Sequence, residues 1–228
     1  CGEGVLLAAW VYEGFPNQAP DSHGYYGPAA AKQLRYLLKN VTRTPTGAIS
    51  QRASPKQVQL WSDSAYMGPP FLAYYGWVTQ NQSLVQMAFD ELKLQRSALH
   101  RPQDPGRHLW RHIIEFPNNT KATRAIDARV WLTGNGWAAA GMLRVAAIIS
   151  HSPWADKMQA QHDQLVQWAD DIITAAYQFV DPGTGLLLNA IDDPSTFLDG
   201  SGSALLSYAV FRLASMDQGR KKHVDMAE

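Results

Sequence analysis

A single cysteine, Cys1, occurs in the 228 residues. Without a second thiol there can be no intrachain disulfide, and a thiolate metal centre is equally excluded. Neither sign of charge is in excess, since 20 Lys and Arg balance 20 Asp and Glu. No net field therefore draws the chain to nucleic acid or to an anionic membrane surface. Charged residues make up only 18% and apolar residues 46%. That excludes a disordered chain and leaves enough apolar material for one sizeable core. No apolar run approaches the roughly 20 residues of a membrane span, and the opening residues lack the pattern of a signal peptide. Also missing are a G-x-S-x-G nucleophile elbow, a P-loop and a strand followed by G-x-G-x-x-G. Serine-hydrolase, phosphate-loop and dinucleotide-binding readings have no foothold.

The chain opens at Cys1-Gly2-Glu3, with no initiator methionine, and runs at once into the apolar stretch from Val5 to Trp10. Natural termini usually fray in polar residues, so a lost upstream segment, including a signal peptide, is expected. Three N-x-S/T sequons start at Asn40, Asn81 and Asn118, each in a polar stretch between apolar ones. They fit surface loops of a secreted, extracellular glycoprotein.

The apolar periodicity is mostly helical. Helices are expected over 3–13, 29–39, 63–78, 83–97, 136–149, 155–179 and 203–213, with Pro69 and Pro70 obliged to lie in a first turn or to break the third. Residues 100–133 read as a long irregular stretch, kept ordered by Trp110, Ile113, Ile114, Phe116 and Trp131. The charged tail 217–228 is expected to fray.

A faint repeat organises these helices. Turns at Thr46-Gly47, Asp104-Pro105-Gly106 and Asp181-Pro182-Gly183 each precede a short apolar run and then a polar or glycine-rich helix start. Asp63, Asn135 and Ser201 at those starts are 72 and 66 residues apart. Each unit can hold two antiparallel helices, and repeated helical hairpins suggest a solenoid or an α/α toroid. Glycines at the starts permit tight turns and close approach of a ligand to the backbone. The length supplies three to four hairpins, so a six-hairpin ring would be incomplete within a single domain spanning 1–228.

Three places could carry chemistry. In Trp61-Ser62-Asp63-Ser64-Ala65-Tyr66 a carboxylate sits beside an indole and a phenol, whose flat faces suit a sugar ring. Ser62 or Asp63 could equally cap the helix while the aromatics pack in the core. In Trp131-Leu132-Thr133-Gly134-Asn135-Gly136-Trp137, Asn135 could cap a helix or meet a ligand hydroxyl, with Trp137 as a pocket wall. His108 and His112 have the spacing of helical zinc ligands, but the glutamate of H-E-x-x-H is absent, so no metal site is expected. Arg111-His112 suits a carboxylate or hydroxyl of a bound ligand, or a solvated turn. His23, in another polar loop with aromatics, is similarly ambiguous.

The segment W-S-D-S-A-Y-M-G-P-P-F-L-A-Y-Y-G at 61–76 resembles the W-x-D-x-x-Y/F-M-x-x-P-F-L motif of the glycoside hydrolase 88/105 group, the unsaturated glucuronyl and rhamnogalacturonyl hydrolases. W-L-T-G-N-G-W at 131–137 resembles the group's W-x-R-G-N-x-W element, and L-W-R-H at 109–112 the segment holding an active-site histidine. D-P-G-T-G-L-L-L-N-A-I-D-D at 181–193 and G-S-G-S-A-L-L-S-Y-A at 200–209 resemble its last hairpin. Order and spacing agree over about residues 47–213, closest to a secreted fungal branch and to part of its length.

The resemblance implies an all-α, (α/α)6 six-hairpin toroid, incomplete in this chain, that needs no metal or organic cofactor. It implies hydration of the 4,5-double bond in unsaturated uronic acid ends of lyase-generated, pectin-type oligosaccharides. Asp63 would be the general acid and base, protonating C4 and activating water for C5. A single carboxyl can serve both steps when its proton affinity lies near the working pH. Trp61, His112, Asn135 and Trp137 would shape the substrate pocket. The group's second acid would fall at the extreme N-terminus, where Glu3 is the available carboxylate. Its histidine ahead of W-x-D is here Gln51, and its R-G-N arginine is here Thr133. Arg52, Arg111 or Arg129 would have to replace that guanidinium. Two other readings follow from these departures: an inactive carbohydrate-binding α/α protein that stacks sugars on Trp61, Trp110, Trp131 and Trp137, and a helical-repeat scaffold for protein partners.

Overall fold

A computed structural model describes residues 2–14, 24–101, 108–217 and 219–228. Cys1, His23 and the turn at Asp104-Pro105-Gly106 lie outside the described residues. In chain order the helices are α1 (Gly2–Glu13), α2 (Tyr26–Lys39), α3 (Ser64–Met67), α4 (Pro69–Val78), α5 (Gln82–Leu99), α6 (Leu132–Ser150), α7 (Gln159–Ala176), α8 (Gly200–Met216) and α9 (Val224–Ala227). One row of helices, α1, α4, α6 and α8, packs side by side, and α2, α5 and α7 back it as a second row. The hairpins α4–α5 and α6–α7 and the start of α8 fall at the repeat expected from the sequence, and α1–α2 adds a hairpin ahead of it.

The two rows differ as their sequences require. Helix α5 carries Leu84, Ala88 and Leu92 at four-residue spacing, all buried, a single apolar stripe against the core. Helix α6 has apolar and small residues on all sides and is buried almost throughout, because neighbours cover it on every face. Leu132, Leu143 and Ile149 on it are fully buried, each contributing about 1.5–3 kcal/mol of transfer free energy.

The helix expected over 63–78 is two helices. Pro69 begins α4 at its first position, where a missing N–H costs nothing. Helix α5 begins one residue ahead of its expected start because the Asn81 side chain accepts the Ser83 N–H at 3.1 Å. The expected 155–179 helix is α7 flanked by single 3₁₀ turns. The charged tail does not fray: an Arg220–Asp170 ion pair ties it to α7, and His223 is buried and stacked on Tyr177 at 5.1 Å. Among the described residues no helix is long and apolar enough to cross a membrane.

The irregular stretch holds the main departure from an all-helical chain. β1 (Gln59–Trp61), β2 (Ile113–Glu115) and β3 (Arg124–Asp127) form an antiparallel sheet in the order β1-β2-β3. Trp61 pairs with Ile113 and Gln59 with Glu115, while Ile113 pairs with Asp127 across a register shift. Strands of three or four residues are too short for alternation to register as a signal. Buried Trp110, Ile114 and Phe116 anchor the sheet to the helices.

Two glycines on α6 bring this sheet to the helix row. A Cβ on Gly134 would meet Ser62 Oγ at 2.1 Å, and one on Gly141 would meet the Ala65 carbonyl oxygen at 2.2 Å. The absent side chains let the 62–66 segment lie directly on α6. At Gly134, one of the helix-start glycines expected to admit a ligand, a neighbouring piece of chain is admitted instead.

Candidate active site

The end of the sheet sets three side chains together. Beyond the β1–β2 pairs, the Ser62 N–H donates to the His112 carbonyl at 3.0 Å, and the His112 N–H donates to the Arg129 carbonyl at 3.0 Å. Residues 61–63, 112 and 127–129 are thereby placed side by side. The His112 ring lies between two indoles, edge-on to Trp61 at 5.7 Å and tilted against Trp131 at 4.5 Å. Arg52 lies over the other ring of this row, 5.2 Å from the Trp61 centroid.

The imidazole has a carboxylate at each nitrogen. His112 Nδ1 is 3.0 Å from Asp127 Oδ2, and Nε2 is 3.7 Å from Asp63 Oδ2. All three side chains are largely shielded, at 15–18% exposure. Asp127 is also gripped by Arg129, whose Nη2 donates to Oδ2 at 2.6 Å and whose Nε donates to Oδ1 at 2.9 Å. The Arg129 hydrogen bonds, followed by the one from His112, outweigh burial and hold the Asp127 carboxyl well below its ordinary value of 3.8. An ionised carboxylate only accepts, so the Asp127 contact fixes the proton on Nδ1. Nε2 is left to face Asp63.

Asp63 is poised differently. It immediately precedes α3, yet its side chain makes no capping bond, and its Oδ2 is buried without any hydrogen-bond partner among the described residues. Most buried carboxylate oxygens are satisfied. An unsatisfied one that faces a histidine at 3.7 Å can hold or pass a proton to a bound group.

The other expected site residues separate into two groups. Trp61 and Arg52 belong to the row beside His112. Trp137 packs on Tyr66 at 4.6 Å, and Arg144 donates to the Tyr66 hydroxyl at 2.5 Å. Glu3 pairs with Arg144 at 3.3 Å. Glu3 therefore joins Asp63 only through Arg144 and Tyr66. Burial, outweighing the pull of Arg144 and the N-terminus, raises its carboxyl above the ordinary value.

Asn135 is a correction to the expected pocket. It is fully buried. Its Oδ1 accepts the Trp110 N–H at 2.8 Å, and its Nδ2 donates to the carbonyls of Trp110 at 3.0 Å and Trp131 at 2.9 Å. With its bonding groups engaged by backbone, it holds the His112-bearing loop to the start of α6 and offers nothing to a ligand. Trp110, considered as a stacking surface, is likewise buried completely. His108 pairs with Asp171 at 3.6 Å and stacks on His100 at 5.8 Å, away from His112. Among the described residues no three His, Cys, Asp or Glu side chains are grouped as metal ligands.

Asp127 was not legible as a site residue. The nearest signal is Asp127-Ala128-Arg129 ahead of Trp131, whose aspartate can fold back on the arginine two residues on. Its pairing with His112 depends on the sheet. Arg129, considered as a stand-in for the guanidinium missing at Thr133, is held by Asp127 instead.

Residues 18–226 match the sequence profile described as Glycosyl Hydrolase Family 88. The unsaturated rhamnogalacturonyl hydrolase YesR of Bacillus subtilis is 24% identical over 191 residues, covering 81% of this chain and 51% of that protein. A crystal structure of a possible member of the GH105 family from Klebsiella pneumoniae superposes with a TM-score of 0.77 at 20% identity, covering 98% of this chain and 55% of its own. The unsaturated glucuronyl hydrolase of Bacillus sp. GL1 superposes with a TM-score of 0.56 at 18% identity over 74% of this chain and 44% of its own. The chain thus spans about half the length of the relatives it matches. The helical hairpins observed here are those of the six-hairpin glycosidase architecture. The expected fungal branch is corrected, because these relatives are bacterial. By the match over most of its length, the chain belongs to glycosyl hydrolase family 88.

Proposed function

We propose that this protein hydrates the 4,5-double bond of an unsaturated uronic acid at the non-reducing end of an oligosaccharide, with Asp63 as general acid and base. The carrying observation is the half-buried, uncapped Asp63 carboxylate, whose buried Oδ2 has no hydrogen-bond partner among the described residues and faces His112. Protonated Asp63 delivers its proton to C4 of the enol ether. The resulting carboxylate then takes a proton from water as that oxygen bonds to C5. The product is a hemiketal, which opens and releases the next sugar without direct attack on the glycosidic bond. One residue handles both protons, which differs from the flanking carboxylate pair of most glycosidases.

Neighbouring side chains support these steps. Asp127 holds the proton on Nδ1 of His112 and so orients Nε2 toward the reacting region, as a carboxylate–histidine pair does in other acid–base sites. Trp61 and Trp131 flank the imidazole and offer apolar faces to a pyranose ring. Arg52, over the Trp61 ring at 5.2 Å, suits a uronate carboxylate. The names of the relatives, an unsaturated rhamnogalacturonyl and an unsaturated glucuronyl hydrolase, favour a pectin-type or related uronyl substrate. Exposed sequons at Asn40 and Asn118 fit a secreted setting.

The test follows the ultraviolet absorbance of the double bond in an unsaturated galacturonyl-rhamnose disaccharide, with wild type and Asp63→Asn in parallel. Loss of absorbance with wild type alone is expected. A folded wild type that leaves unsaturated galacturonyl and glucuronyl disaccharides unchanged overturns the reading and leaves a binding protein.

A further inference from the structure

A separate cleft of about 510 Å³ runs along α6 beyond Trp137. Arg144 follows Trp137 by seven residues, two helical turns or about 10 Å, and His151 lies two turns further on. Tyr74 and Trp77 of α4 form one wall, Arg212 of α8 another, and Glu3 of α1 closes the end near Arg144. The cleft is therefore lined by the row α1, α4, α6 and α8, whereas the Asp63 site is made by the sheet.

Its charges are unbalanced. Arg144 is occupied by Glu3 and by the Tyr66 hydroxyl. Arg212 has no ion pair among the described residues, and its Nε is buried without an acceptor. Arg212 is half-buried overall, but a buried N–H left without an acceptor is costly, and a ligand that supplies the acceptor recovers that cost. His151 donates from Nδ1 to the Ala147 carbonyl at 2.8 Å, leaving Nε2 free to accept from a hydroxyl. Tyr74 and Trp77 lie 5.8 Å apart and tilted by only 31°, which gives a broad, nearly continuous aromatic surface of the kind that takes the apolar face of a sugar.

We propose that this cleft binds a saturated uronate residue of an acidic oligosaccharide, with Arg212 receiving the carboxylate and Trp77 and Tyr74 the ring. A planar carboxylate matches the forked guanidinium, and the aromatic wall discriminates a uronate from a bare oxyanion. The site requires neither Asp63 nor a double bond, so it goes beyond the hydration reading and stands or falls separately from it.

The experiment measures binding of saturated trigalacturonate by calorimetry to wild type, Asp63→Asn and Arg212→Gln, with a neutral galactotriose and inorganic sulfate as comparison ligands. Wild type and Asp63→Asn are expected to bind alike, and Arg212→Gln to bind at least about tenfold more weakly. The neutral sugar and sulfate are expected to bind more weakly than trigalacturonate. A second readout needs no variant: trigalacturonate should protect Arg212 of the wild type from an arginine-specific reagent. The proposal is overturned by undiminished binding to folded Arg212→Gln, by loss of binding in Asp63→Asn, or by absence of protection at Arg212. It is also overturned if galactotriose or sulfate binds as tightly as trigalacturonate.

Discussion

Asp63 and Asp199 each immediately precede a helix, α3 and α8, yet their carboxylates have opposite fates. At Asp199 the backbone is extended, with φ −104° and ψ 97°, and the side chain folds back onto the helix start. Its Oδ1 accepts from the Gly202 N–H at 2.9 Å and from Ser201 Oγ at 2.7 Å, and its Oδ2 accepts from Asn189 Nδ2 at 2.9 Å. Burial pushes this carboxyl up, but the bonds from Gly202, Ser201 and Asn189 together bring it below its ordinary value. At Asp63 the backbone is already helical, with φ −59° and ψ −31°. That conformation carries the side chain away from the free N–H groups of the first turn. One aspartate is consumed in holding a helix, and the other makes no capping bond and leaves its Oδ2 without a hydrogen-bond partner among the described residues. The deciding variable is a backbone angle, which residue type does not reveal.

Removing the Asp63 charge tests this contrast most sharply. Asp63→Asn should lower the rate of double-bond loss by about 10²–10⁴-fold, while its urea unfolding shifts by no more than about 0.5 kcal/mol, since no hydrogen bond is lost. An equal loss of stability would make Asp63 a structural residue like Asp199. Asn135→Ala should show the reverse balance. It strands the buried N–H and carbonyl of Trp110, so a destabilisation of about 2–3 kcal/mol is expected in the same urea measurement. Asp199→Ala removes a cap and should cost about 1–2 kcal/mol, with the rate per folded molecule unchanged. A fall in that rate at full folding would place Asp199 among the functional carboxylates.

The smallest expected effect concerns Asp127. Its carboxyl is depressed in the fold, first by the Arg129 hydrogen bonds. The native state therefore holds that proton less readily than the unfolded chain does, and the ionised group contributes stability above its unfolded value. That contribution is lost as pH falls through the native value. Arg129 is 62% exposed, so solvent screening limits the contribution to about 1 kcal/mol or less. Wild type and Asp127→Asn should differ in urea stability near neutral pH, and the difference should narrow progressively as the pH falls below about 4. A constant difference across that range would assign the effect to lost hydrogen bonds alone.

Much of the helical framework can be read from the chain because its signals are local. The stripe Leu84, Ala88 and Leu92 marks α5, Pro69 marks a helix start, and the Trp-x-Asp and Gly-Asn-Gly-Trp segments mark the places where the sheet and α6 meet. The candidate site is only half legible in that way. Trp61, Asp63 and His112 are found by motif and are brought together. Asn135 has a residue type equally suited to ligand and backbone, and burial assigned it to backbone. Asp127 carries no motif, and its role arises from pairing across three short strands.

The sequence by itself determined the helical framework and singled out Asp63 as the candidate carboxylate, because helical periodicity and a compact motif are written in neighbouring residues. Only the tertiary structure decided which nitrogen of His112 carries its proton, that Asn135 is a brace, and that Glu3 meets Arg144. Each of those depends on groups tens of residues apart, whose distances and burial exist only once the helices and the sheet have packed.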